Sequence, residues 1–107
     1  MATFGEYIRK EREKKGMTQD KLSKELDIPY TDVSKIEHGR IKFKFKKIAL
    51  LAEVLSVDLQ ELKDLYGADI MIEQKKKYEC SDAVFSVADS QSKYQQEKNV
   101  KQGKMKF

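Results

Sequence analysis

Residues 18–40 read TQDKLSKELDIPYTDVSKIEHGR, and the order of apolar and punctuating residues in this stretch decides the fold. Thr18 can cap the free amides of a helix that starts after it. Leu22 and Leu26 lie four apart and form one apolar face, with the small Ser23 between them. That helix has room for only about two turns, because Asp27-Ile28-Pro29 follows. Pro29 suits the first position of a new helix, where the amide it lacks would have no partner anyway. The new helix is predicted over 29–38. Val33 and Ile36 face inward, Tyr30, Thr31, Ser34 and Lys35 face outward, and Gly39 ends it. Two short helices therefore meet across a tight turn, and the second turns a polar face outward.

The flanks extend the same pattern. Upstream, a helix is predicted over 3–15 with Phe4, Ile8 and Tyr7 inward, Arg and Lys paired with Glu on its surface, and Gly16 at its end. Downstream, residues 40–44 alternate charged and apolar character. Period two suits a strand, but no second strand is available to pair with it, so an extended connection is predicted. A fourth helix follows over 45–55, with Phe45, Ile48, Leu51, Ala52 and Leu55 on its apolar side. A fifth runs over 58–66, with Asp58 as its cap and Leu59, Leu62 and Leu65 inward. After Gly67 the pattern softens. Residues 68–77 can continue as a helix, with Ile70 and Met71 or Ile72 buried, and end in three lysines. Residues 82–96 read as an amphipathic helix, with Ser81 as cap and Ala83, Val84, Val87, Ala88, Gln91 and Tyr94 on one side. The expected organisation is all-α: a five-helix domain over 1–66, a helical extension over 67–97 and a disordered polar tail over 98–107.

Composition narrows the chemistry. The 107 residues allow one small domain plus an appendage. No apolar run approaches the ~18 residues of a membrane span, so no membrane partner is expected. A single cysteine, Cys80, excludes a disulfide within the monomer and a cysteine zinc site, and reads as a free thiol. A single histidine, His38, leaves no His-based metal or acid–base set. With no nucleophile–base pair and no Gly-rich phosphate loop, no enzyme, metal or cofactor is expected. The N-terminus turns polar before any signal-peptide core, which implies a cytoplasmic protein. The formal charge is only +4, yet residues 35–47 alone hold Lys35, Arg40, Lys42, Lys44, Lys46 and Lys47 against Glu37. A charge run is usually a solvated face. This one directly follows the outward face of the third helix, which favours a phosphate-facing patch.

The stretch from Thr18 to Arg40 resembles the XRE or phage-repressor/Cro family of helix-turn-helix proteins. Arg12 and Gly16 upstream and Ile48–Val57 downstream agree, so the resemblance covers residues 4–65. It implies a repressor-like fold and a sequence-specific transcriptional regulator that binds a palindromic operator in double-stranded DNA as a homodimer. The third helix would be the recognition helix, with Tyr30, Thr31, Ser34 and Lys35 at the bases and Asp32 flanking them. Thr18 and Gln19 would meet phosphate at the start of the second helix. His38, Arg40, Lys42 and Lys44 would meet the backbone beyond the third. Arg12 and Glu37 match a structural ion pair. Asp27 stands where the family's turn usually has Gly, Pro29 replaces the usual Ser or Thr cap, and Lys44 replaces a frequent Pro. The short chain also resembles controller proteins of restriction–modification systems and small phage-type repressors. The segment 66–96 would then be a dimerisation or effector element. The alternative is an antitoxin-like module that binds a protein partner through residues 66–107 and keeps the helix-turn-helix for autoregulation.

Overall fold

The computed structural model describes residues 2–106, with side chains described as far as Lys98. Six helices follow one another: α1 (Phe4–Lys14), α2 (Gln19–Leu26), α3 (Tyr30–Glu37), α4 (Ile48–Leu55), α5 (Leu59–Lys77) and α6 (Val84–Lys106). A single 3-10 turn, Phe45–Lys47, leads into α4, and the described residues contain no strand. The chain divides into two compact units, one ending at Met71 and the other beginning at Ile72.

The first unit is built around one core. Phe4 and Ile8 of α1, Leu22 and Leu26 of α2, and Val33 and Ile36 of α3 are all buried, as the helical spacing predicts. Leu51 and Leu55 of α4 and Leu62 of α5 close it and are fully buried. α1 begins under two caps. Thr3 Oγ1 accepts from the Glu6 amide, and the Asp69 carboxylate of α5 accepts from the Phe4 amide at 3.2 Å. Both put negative charge or a lone pair at the positive end of the helix.

Two expectations need correction in this unit. Phe45 does not join the core: it lies in the 3-10 turn and is 53% exposed. Its ring lies tilted against the Tyr66 ring at 5.5 Å. The core position goes instead to Phe43 in the extended connection, which is 3% exposed. The fifth helix does not stop at 66. α5 passes through Gly67 because Tyr66 and Asp69, on either side of it, both have tertiary partners.

In the second unit, α5 ends in a left-handed Glu79, with the Cys80 amide closing on the Lys75 carbonyl at 2.9 Å. Lys75 pairs with Asp82 at 2.9 Å, and Cys80 is a free thiol. The apolar face expected in the extension is uncovered. Ile72, Val87 and Tyr94 are exposed and Val84 and Phe85 half-buried, while at the end of the first unit Met71 is exposed and Ile70 half-buried. Periodicity marks such a face, but burying it needs an opposing element. The tail expected to be disordered falls on 98–107, and from 99 onward its side chains lie outside the described residues.

Candidate nucleic-acid interface

The α2–α3 pair is held by tertiary bonds more than by local capping. Thr18 Oγ1 accepts from the Lys21 amide at 3.0 Å and starts α2. α2 ends in Asp27, which takes the left-handed conformation (φ 53°). This costs a non-glycine residue about 1 kcal/mol or more. Lys47 reaches back from the 3-10 turn and donates to the carbonyls of Leu26 (2.7 Å) and Asp27 (2.9 Å). A cation thus sits at the negative end of α2, on carbonyls that the helix leaves unpaired. Pro29 stands one position earlier than its sequence reading, as the N-cap of α3, with no side-chain cap bond.

α3 has two contrasting sides. Val33, Ile36 and Glu37 are buried, whereas Tyr30 (54% exposed), Thr31, Lys35 and His38 are exposed and Ser34 and Asp32 half-exposed. Spacings of three and four place Tyr30, Thr31, Ser34 and Lys35 along one strip. The side chains of Tyr30, Thr31 and Lys35 make no hydrogen bond or ion pair among the described residues, so the strip is open to a partner. α3 closes at Gly39 (φ 73°), where the Gly39 amide bonds Ile36 O and the Arg40 amide bonds Lys35 O at 2.8 Å. Only glycine takes that conformation at no steric cost, and the turn delivers Arg40 just beyond the strip. His38 Nδ1 lies 2.8 Å from the Ser34 carbonyl. A carbonyl only accepts, so Nδ1 carries the hydrogen and Nε2 is the nitrogen left outward.

Behind α3 lies a buried ionic network. Arg12 Nε donates to Glu37 Oε2 at 2.7 Å and its Nη2 to Oε1 at 3.1 Å, the two-pronged arrangement that guanidinium and carboxylate favour. Arg12 Nη1 donates to the Met17 carbonyl at 2.8 Å. Hydrogen bonding to Glu37 raises the Arg12 pKa above its ordinary value, while burial works the other way. Gln19, expected at a phosphate, is half-buried and donates from Nε2 to Glu37 Oε1 at 3.1 Å. That nitrogen has a second hydrogen left over. Gly5 lets α1 lie against the end of α3. A Cβ there would press into the backbone carbonyls of Ile36 and Glu37, the latter at 2.6 Å.

The basic segment sorts itself in space. Lys47 is tied to α2, and Glu37 is neutralised inside the domain by Arg12. Lys35, Arg40, Lys42, Lys44 and Lys46 all remain exposed. Lys42 and Lys44 flank the buried Phe43, so each emerges next to an anchored residue. Sequence reasoning missed Gly5, Phe43 and Tyr66, whose hydroxyl donates to the Phe43 carbonyl, and counted Lys47 in the phosphate-facing patch although it is tied to α2. Period-two alternation over 40–44 carried a signal for Phe43. Nothing local distinguishes Lys47 from Lys46. Among the described residues, no group of His, Cys, Asp and Glu could hold a metal ion, and no helix is long and apolar enough to cross a membrane.

The model of a family described as helix-turn-helix matches residues 8–62, just over half of the chain, and no curated protein matches. The chain belongs to this family, of the XRE type, which is a family of DNA-binding transcription regulators.

Proposed function

We propose that this helix-turn-helix regulator acts as a homodimer on a palindromic operator, with α3 of each copy in a major groove. One observation carries the reading. The open strip of α3 is followed beyond Gly39 by exposed cations, while the opposite side of the same helix is buried in the core. Lys35 can donate to guanine N7 and O6, and the Tyr30 ring or Thr31 methyl can meet a thymine methyl. Ser34 adds a hydroxyl to the same strip. Arg40, Lys42, Lys44 and His38 contact phosphates on the far side of the groove. His38 does so through Nε2, which donates only when the ring is protonated. Thr18, the α2 amides and the second Nε2 hydrogen of Gln19 meet a phosphate on the near side. One such module reads only a few base pairs, and a second copy supplies the missing affinity and specificity. A protein with this task works in the cytoplasm, alongside the DNA.

Selection of bound sequences from random duplex DNA tests the reading. It should return two inverted half-sites about one helical turn apart, and sedimentation should show two chains per bound duplex. A single half-site bound by one chain refutes the homodimer. Lys35→Ala should weaken binding to the selected sequence and relax it at one position. Lys42→Ala should weaken binding to all duplexes alike and lower the salt dependence.

A further inference from the structure

We infer that Tyr66 is a positioning residue for DNA binding: its phenol holds the basic connection between α3 and α4 by the Phe43 carbonyl. This rests on the reading of Arg40, Lys42 and Lys44 as phosphate contacts.

Residues 40–44 lie in neither helix nor strand, so no backbone ladder fixes their path. The Arg40 amide ties the start of the segment to the Lys35 carbonyl at 2.8 Å, and two contacts at Phe43 hold its middle. The Phe43 ring enters the core 6.1 Å from the Phe4 ring. The Tyr66 hydroxyl donates to the Phe43 carbonyl from α5. The Tyr66 ring sits edge-on to Phe4 at 5.1 Å and tilted against Phe45 at 5.5 Å. Tyr66 thus touches the connection at Phe43, the residue just after it at Phe45, and α1 at Phe4.

The ring and the hydroxyl have separable roles. A phenylalanine at 66 would make the same ring contacts, so packing alone does not require the oxygen. The hydroxyl has one observed partner, a carbonyl whose peptide plane leads directly into Lys44. Holding that plane orients Lys44 and, through the buried ring of Phe43, the neighbouring Lys42. Without it the segment regains backbone freedom, and binding must then order it again at a cost in affinity. Every duplex is affected alike, because phosphate contacts carry no sequence information.

The test is Tyr66→Phe in the full chain, with a mixed-sequence duplex as probe over a range of salt concentrations, well below the melting temperature. Binding is expected to weaken about three- to ten-fold, the equivalent of one ordinary hydrogen bond. The slope of log K against log salt should fall in magnitude by a fraction of one phosphate contact. Arg40→Ala and Lys44→Ala form the reference arm, each expected to weaken binding and flatten the slope. If neither changes affinity or slope, the phosphate reading itself fails. If both do so and Tyr66→Phe keeps wild-type affinity and slope, the positioning role is overturned. A lower melting temperature with affinity and slope unmoved marks Tyr66 as a stability residue only and overturns it equally.

Discussion

Arg12→Met removes the charge at the centre of the first unit and keeps the length and apolar stem of the side chain. The substitution deletes two bonds to Glu37, at 2.7 and 3.1 Å, and one to the Met17 carbonyl, at 2.8 Å. It leaves a Glu37 side chain that is 0% exposed, with the Gln19 amide as its only described side-chain partner. An exposed ion pair contributes ~0–1 kcal/mol, but stranding a buried charge costs about 3–5 kcal/mol. In a domain of this size ~1 kcal/mol moves the melting temperature by ~4–8 °C, so a fall of about 12 °C or more is expected. Urea or thermal denaturation followed by helical circular dichroism reads it. The double variant Arg12→Met/Glu37→Met should regain much of the loss, because the stranded carboxylate is gone. The cycle of wild type, two singles and the double then isolates the coupling between the two residues. An Arg12→Met protein within ~1 kcal/mol of wild type, or a double variant no better than the worse single, would refute the reasoning.

Three further substitutions probe the other tertiary devices. Gly5→Ala forces a methyl into the Ile36 and Glu37 carbonyls and should cost about 2–3 kcal/mol by the same denaturation assay, against a gain if residue 5 were an ordinary helix position. Gly67→Ala adds a methyl where nothing lies within 4 Å and should stabilise by about 0.5–1 kcal/mol; a loss would mean that α5 is not continuous there. Lys47→Met removes the ammonium from the Leu26 and Asp27 carbonyls and should cost about 1–2 kcal/mol, whereas an unchanged melting curve would show that it is merely one more surface charge.

What the sequence makes legible is what local spacing encodes. Leu22, Leu26, Val33 and Ile36 are inward because three- and four-residue steps bring them onto one side, and all four are buried. The exposure of Tyr30, Thr31 and Lys35 follows from the same phase. Choices made by distant partners are not legible. Phe43 and Phe45 both sit in a basic run, and Phe4 and Tyr66 decide which is buried. Gly67 looks like a helix stop by composition, yet Asp69, two residues later, caps the start of α1. Gly5 carries no sign of the close approach it permits. In the second unit the pattern of Val87 and Tyr94 specifies a face without specifying what covers it.

The helix α3 shows how these two levels combine. By local criteria α3 is a poor helix: eight residues long, with no side-chain cap and a left-handed aspartate just before it. Isolated helices that short do not hold in water. Its position is fixed from outside the outward strip. Glu37 is gripped by Arg12 and Gln19 at one end, and Lys47 closes the turn before the other. Val33 and Ile36 bury the inner side between them. None of these anchors uses Tyr30, Thr31 or Lys35. Stability and the proposed DNA contacts therefore rest on different residues of the same two turns. The outward side chains can change with little effect on folding, where surface substitutions usually stay within ~0.5 kcal/mol. The proposed use of one short helix to read DNA needs this separation, because the anchors must stay fixed while the contacts are matched to a site.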